Sequence, residues 1–507
     1  MMELDIQLVN KRGYIWKTVQ SENIKYFYKS LIDYTSTELE LEDCEAFVVI
    51  KVTKDYVEIK SDVFRTIPIF YKVKKSKITI SDNFETVSNS HENKMNEQMR
   101  NVYLNAGFTP VHMTLIEDVL QTRASESVII FLKTGEINYQ KLDTYNNQNI
   151  NEEVTFDDFR KASALISNKL SNFLDGYTIY LPLSDGFDSL YIACLLKMSS
   201  FENVKCYSYG DEKSKVARKS RLIAENLGYE WHFYHYQKKD WKVLRSSKLF
   251  SEYLDYAGQA SNFVHFQDFI AVMKISEKLS LEERENSIFI PGHTGTIGGG
   301  NLKSDEIKKI INLDDLINFI IKKDFSLQNN TDSKNTIAQY VKDELVNIPL
   351  NINNVTNFLQ SWDIKERQSK MIVNSVRIYE FFGMKWYLPL QDKKLVNMLY
   401  SLDIFEKLDK KRYKALISQL AQENGITILN PNPKPAKIKS FLKVFLFKPY
   451  QFIYFKSEII KHQFSWFSLF NSGEIIKFIM RNGKEFPAIM SMVYINFLEK
   501  KNEKNQR

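Results

Sequence analysis

The chain has 507 residues, 44% of them hydrophobic and 26% charged, and its 69 Lys and Arg against 62 Asp and Glu leave a net charge of +7. This length exceeds one ordinary core and predicts two domains plus an appendage, while the thinly spread positive excess argues against nucleic acid as a partner. No basic leader and no run of about 18 apolar residues is present, so a cytoplasmic protein without a transmembrane segment is expected. Cys44, Cys194 and Cys206 form no C-x-x-C pair, which fits neither a disulfide framework nor a cysteine zinc site; they read as small buried apolar residues.

The first part, 1–145, reads as a β-rich domain. Short runs at 47–50, 56–59, 67–73, 78–81 and 127–131 are rich in Val, Ile, Phe and Tyr. The polar string 146–149 has nothing to bury and marks a boundary. A helix comes next, with Phe159, Ala162, Ile166, Leu170 and Phe173 on one face. From 177 the pattern alternates: strand 177–183, helix 189–197, strand 204–209, helix 213–227 stopped by Gly228, strand 230–234. Such alternation predicts an α/β domain at 155–440 with a doubly wound parallel sheet, whose ligands bind at the carboxyl ends of the strands. Residues 324–336 read as a loop and 362–402 as mostly helical. The tail, 441–507, sets Phe441, Phe445, Phe447, Tyr450, Phe452, Tyr454 and Phe455 among lysines. It reads as helical and packed on the domain, with peripheral membrane contact or a partner surface as the alternative.

The segment Leu183-Ser184-Asp185-Gly186-Phe187-Asp188-Ser189 falls between the first parallel strand and its helix. A phosphate-binding loop needs small residues for close backbone approach, N–H groups aimed at the anion and a helix N-terminus behind them. Ser184, Gly186 and Ser189 meet that need, and Asp188 offers a carboxylate for the magnesium ion that accompanies ATP. Ser, Asp and Gly also make ordinary turns and caps, so the bare string is weak on its own.

The segment resembles the S-G-G-x-D-S loop of the asparagine synthetase-like ATP-pyrophosphatases. The stretch Cys206-Tyr207-Ser208-Tyr209-Gly210 is similar to that family's second strand, whose end borders the adenine. Residues 288–300, with Gly292, His293, Gly295, Thr296, Gly298, Gly299 and Gly300, resemble its glycine-rich G-x-G-x-D-E-x-x-G-G loop. The region 367–377 and then Tyr387-Leu388-Pro389-Leu390-Gln391-Asp392 are similar to its helix and R-x-P-F-x-D turn. Lys434 stands roughly where the family keeps a lysine for the leaving pyrophosphate, with Lys437 competing. Independently, Asp62, Arg65-Thr66-Ile67-Pro68-Ile69-Phe70-Tyr71 and 79–82 resemble the D-x-x-R-x-x-P-L-F-Y hairpin of class II glutamine amidotransferases. Residues 103–107, 114–115 and 124–126 are similar to the stretch of that domain beyond the hairpin.

The resemblance implies an N-terminal Ntn-hydrolase-like α+β domain and an ATP-pyrophosphatase domain that makes an amide. A carboxylate is activated as its acyl-adenylate with release of pyrophosphate, and an amine or ammonia accepts the acyl group. ATP and Mg2+ are the implied cofactors. A small-molecule or peptide carboxylate and an amine are the implied partners, a homodimer is allowed, and surface polysaccharide or small-molecule and peptide pathways are the family setting. By the same resemblance Leu183, Ser184, Gly186, Asp188, Ser189, Ser208 and Gly292 contact ATP, Asp188 holds the metal, and Asp188, His293 and Lys434 are catalytic. The family's amidotransferases use an N-terminal cysteine, and this chain opens Met1-Met2-Glu3, so no glutaminase is expected. Asp185 replaces a usual glycine, and His293 and Thr296 replace usual acids, with Asp211 or Glu212 as substitute ligands for a second magnesium. A catalytically impaired scaffold is therefore the competing expectation, and a tRNA-modifying relative a third. His293 reads equally as a base near the carbonyl or as a loop histidine bonded to its neighbours. His232 and His235, three apart in a strand, read as ordinary strand histidines. Tyr379 and Glu380 suggest help in amine deprotonation, against helix packing for Tyr379 and a solvated face for Glu380.

Overall fold

The computed structural model describes residues 2–9, 14–40, 46–88, 93–142, 153–298, 302–328, 333–345, 349–426, 465–480 and 487–506. Among the described residues fifteen strands run in chain order: β1 Glu3–Gln7, β2 Lys17–Ser21, β3 Ile24–Ser30, β4 Phe47–Val52, β5 Tyr56–Ser61, β6 Phe70–Lys74, β7 Lys77–Ser81, β8 Leu120–Gln121, β9 Glu126–Phe131, β10 Ile137–Lys141, β11 Thr178–Pro182, β12 Val204–Gly210, β13 Glu230–His235, β14 Ser287–Phe289 and β15 Lys385–Trp386. The first ten make two sheets, ordered β1-β7-β6-β8 and β10-β9-β5-β4-β3-β2.

Period-two patterning explains how these sheets stack. Val48, Ile50, Val57, Ile59, Val128 and Ile130 on one face of the larger sheet share a core with Tyr71, Ile78 and Ile80 of the smaller one. The alternate residues Phe47 and Val49 turn away, into a second cluster with Tyr26 and Tyr28. The strand expected at 67–73 begins only at Phe70. Before it the chain turns around buried Asp62, whose carboxylate accepts the N–H groups of Phe47, Phe64 and Thr66, and Arg65 takes a left-handed φ of 49°. Within this β-rich half a helix, Glu97–Ala106, is capped by the Asn96 side chain and closed by Gly107 at φ 84°.

The second half is built on a parallel five-stranded sheet ordered β13-β12-β11-β14-β15. The chain starts in the centre at β11, winds outward through β12 to β13, then returns to the other side of β11 for β14 and β15. That is the doubly wound order, and its switch point lies between β11 and β14. The preceding helix, Phe156–Phe173, buries Phe159, Ala162, Ile166 and Leu170 as its spacing requires and starts with a Thr155–Asp158 capping box. The expected helix at 213–227 begins at Lys215 because the Ser214 side chain caps it, and Gly228 ends it in the left-handed conformation. The region 362–402 is less uniform than expected: it holds a π-helical stretch, Ile364–Ile372, and the strand β15.

One hydrophobic core joins the halves. The Tyr14 ring meets Trp386 edge-on at 5.5 Å, and its hydroxyl donates to the Trp386 carbonyl. A Cβ at Gly107 would lie 2.6 Å from the Phe263 ring. The C-terminal helix, Pro487–Gln506, spans the junction: Tyr494 packs on Tyr103 at 5.5 Å, and its hydroxyl accepts the Ala260 N–H at 2.7 Å. The boundary string 146–149, Cys44 and the aromatic stretch from Phe441 to Phe455 lie outside the described residues. Cys194 and Cys206 are buried and unbridged. Among the described residues no helix is long and apolar enough to cross a membrane.

Candidate functional site

The loops after β11 and β14 leave neighbouring strands on either side of the switch point, the place where an open α/β sheet forms a crevice at its carboxyl edge. In the first loop the polar groups close on one another. The Gly186 N–H donates to Ser184 Oγ at 3.1 Å, Ser184 Oγ and Ser189 Oγ are 2.9 Å apart, and Ser189 Oγ donates to the Gly186 carbonyl at 3.2 Å. Gly186 is the N-cap of the helix Phe187–Met198, and among the described residues no side chain caps that end. Its first-turn N–H groups therefore face the loop without a side-chain acceptor, the arrangement that favours an anion. Ser184 and Asp185 are exposed at the mouth, and Ser189 is buried.

The glycine-rich segment sits directly against this loop. A Cβ on Gly292 would fall 2.7 Å from the Ser189 nitrogen, and one on Gly295 would fall 2.2 Å from Asp188 Oδ1. Only glycine permits that approach. Between them Thr294 holds a left-handed φ of 72°, costly for a β-branched residue, and is buried.

Asp188 is half-buried and ringed by two groups that sequence reasoning missed. The Tyr413 hydroxyl donates to its Oδ1 at 2.9 Å, and Lys410 Nζ lies 3.8 Å from its Oδ2. Tyr413 is fully buried on the helix Lys411–Glu423, with its ring against Gly298. Lys410 and Asp409 both hold left-handed backbone, and Asp409 is fixed by its N–H donating to Leu302 O at 2.9 Å. No local pattern around 409–413 points to them; the left-handed turn at Asp409 and Lys410 returns the two side chains to the crevice.

His293 is half-buried on the same glycine-rich segment. Ser375 Oγ donates to the Ile372 carbonyl at 2.7 Å and so accepts from His293 Nε2 at 2.8 Å, which assigns the proton to Nε2 and leaves Nδ1 as an acceptor. Burial, with a smaller push from His265, lowers the imidazolium pKa to about 3. At neutral pH this histidine is a neutral hydrogen-bonding group and a weak base.

The other sequence candidates divide plainly. Leu183 is buried; its N–H donates to Tyr207 O at 2.9 Å, and its carbonyl accepts the Ser208 hydroxyl at 2.5 Å. Ser208 also lies 2.7 Å from Ser220 Oγ, so its side chain ties the sheet to the helix Lys215–Leu227. Asp211 uses its carboxylate to accept the Lys213 N–H at 3.0 Å, and Glu212 is exposed. The Thr296 backbone is in the short turn Gly295–Gly298, and its side chain lies outside the described residues, as do Lys434 and Lys437. His232 lies 2.8 Å from Glu230 on a partly exposed strand face.

The solvated face expected for Glu380 is overturned. Glu380 is 3% exposed and accepts from Arg377 at 2.6 Å, Tyr256 at 3.0 Å and Trp386 Nε1 at 2.8 Å, because the helix Arg377–Phe381 lies inside the core. Tyr379 stacks on Phe289 at 4.3 Å and donates to Asp268 at 3.0 Å.

Among the described residues no group of three or more His, Cys, Asp or Glu side chains could hold a metal ion. Among the described residues Asp188 offers a carboxylate inside the crevice, with Asp185 exposed at its mouth. That fits a magnesium ion delivered on nucleotide phosphates, which needs one or two protein carboxylates, better than a resident metal. A cavity of about 750 Å3 lined by Tyr14, Tyr177, Arg284 and Lys385 lies at the amino ends of the parallel strands, away from this chemistry. Compared with known proteins, the chain matches no family model, and no curated protein matches it significantly.

Proposed function

We propose that the chain is an ATP-dependent, AMP-forming ligase of the asparagine synthetase-like kind, with an Ntn-hydrolase-like first half and the crevice of the parallel sheet as its nucleotide site. The observation that carries the reading is the seating of Gly292 and Gly295 on the Ser184–Ser189 loop, which puts Asp188 beside an uncapped helix N-terminus at the switch point. The N–H groups of the helix's first turn would hold phosphate oxygens. Asp188 would hold the magnesium that arrives with ATP, a Lewis acid that neutralises phosphate charge. Lys410, within 4 Å of that carboxylate, would supply the cation for the leaving pyrophosphate in place of or beside Lys434.

In the first step a substrate carboxylate oxygen bonds to the α-phosphorus as the bond to pyrophosphate breaks. In the second an amine nitrogen bonds to the acyl carbon, AMP departs with the bonding pair, and the amine gives up a proton. His293, neutral and fixed through Ser375, can accept a hydrogen bond at Nδ1 from the N–H of the incoming amine and so orient it. Exchange of labelled pyrophosphate into ATP, measured with a panel of carboxylic acids, tests the reading. Exchange is expected with the correct acid, abolished in Asp188→Ala and at least about tenfold slower in Lys410→Gln. Exchange undiminished in Asp188→Ala would remove the assignment.

A second reading, a scaffold that has lost catalysis, draws on exposed Asp185 at the mouth and on Asp188 being already bonded to Tyr413. It predicts no binding of magnesium-ATP.

A further inference from the structure

A second pocket, of about 600 Å3, opens where the helix Leu313–Asp324 passes the π-helical stretch Ile364–Ile372. Its lining carries Lys309, Lys322, Lys323 and Arg367 against two carboxylates, Glu306 and Asp315. The volume is that of a small-ligand site.

Its charges are unequally committed. Lys323 is anchored to Asp363 at 3.2 Å, and Asp315 accepts the Ile311 N–H at 3.2 Å. The Arg367 guanidinium is half-buried and lies in the field of the buried Asp363 and Asp324 carboxylates, but among the described residues its N–H groups make no hydrogen bond; Lys309 and Lys322 are exposed and without an ion pair there. A half-buried guanidinium whose N–H groups lack hydrogen bonds costs desolvation that a bound anion accepting from them would offset. It projects from a π-helix, a geometry kept mostly at functional positions. Phe319 and Ile310 supply an apolar wall, and Glu306 can accept from hydroxyl groups.

From this we infer that the pocket is a binding site for a small anionic polyol, with its phosphate or carboxylate on Arg367 and Lys322 and its hydroxyls toward Glu306. The site is separate from the Asp188 crevice and stands whether or not that crevice binds ATP.

Calorimetric titration of the full chain at low salt with ribose 5-phosphate, gluconate and ribose tests it. One or both anions are expected to bind while ribose stays silent, and the anion that binds identifies the headgroup. Arg367→Gln should weaken that binding at least about tenfold, the effect of one lost charge-assisted pair. Lys309→Gln with Lys322→Gln, both at exposed positions that leave the fold intact, should weaken it as well, and Asp188→Asn should leave it unchanged. Failure of both anions to bind at about 10 mM overturns the inference. So does affinity that survives both sets of pocket changes, or that disappears in Asp188→Asn alone.

Discussion

Gly295 and Asp188 form the tightest junction of the crevice, and a methyl group at 295 would fall inside the carboxylate. Gly295→Ala is therefore expected to cost about 1–3 kcal/mol through overpacking, read from the denaturant midpoint, and to remove nucleotide binding by displacing Asp188. His265 offers a pH readout at the same scale. Burial lowers its pKa from the ordinary 6.5 to about 4, opposed by the hydrogen bond it donates to Met371 O at 2.6 Å. Between those values the unfolded chain takes a proton that the folded chain refuses, so stability falls as pH drops from about 6.5 to 4. His265→Gln keeps a donor and removes this titration. Relative to wild type the variant should gain about 1–3 kcal/mol across that window in paired denaturation curves. The local residues of the crevice were legible because small residues between an apolar strand and a helix carry a local physical requirement. Tyr413 was not, since it meets Asp188 from 225 positions away and nothing in its own neighbourhood announces that contact.

At the scale of elements, strands with clear alternation such as β5 and β9 were readable, and so were helices with both an apolar stripe and a cap. Strands β8 and β15, two residues each, were not, because their pairing comes from neighbours rather than from their own pattern. The π-helical stretch was not legible either: Glu366 and Lys370 are fully buried and paired at 2.8 Å, a placement set by Arg123 and the Thr109 and Val111 carbonyls of the first half rather than by local pattern. Asp392, met in the sequence as part of a family-like turn, has a structural task. Its Oδ1 accepts the Lys394 N–H at 2.9 Å and caps the helix Lys393–Ser401. Asp392→Ala should lower stability by about 0.5–2 kcal/mol, and Asp392→Asn by less, in equilibrium unfolding.

Over the whole molecule, a buried charge network joins the halves. Arg123 meets Glu366 at 2.8 Å and Glu126 at 3.2 Å, Lys365 meets Glu126 at 3.2 Å, and Lys370 meets Glu366 at 2.8 Å while donating to the Thr109 and Val111 carbonyls. Burial alone would raise the Glu126 pKa, but His112, Arg123 and Lys365 hold it well below the carboxylate range. Removing one member strands its partners in the interior. Glu366→Gln is expected to cost about 3–5 kcal/mol and to split one calorimetric transition into two. A single unchanged transition would show that apolar contacts alone join the halves. Whether the Asp188 crevice is a nucleotide site is decided by titrating magnesium-ATP into the full chain and into Asp188→Asn. Saturable binding is expected for the wild type, dependent on magnesium and weakened at least about tenfold in the variant. Absence of binding by the wild type, or binding equally tight in Asp188→Asn, would contradict the assignment.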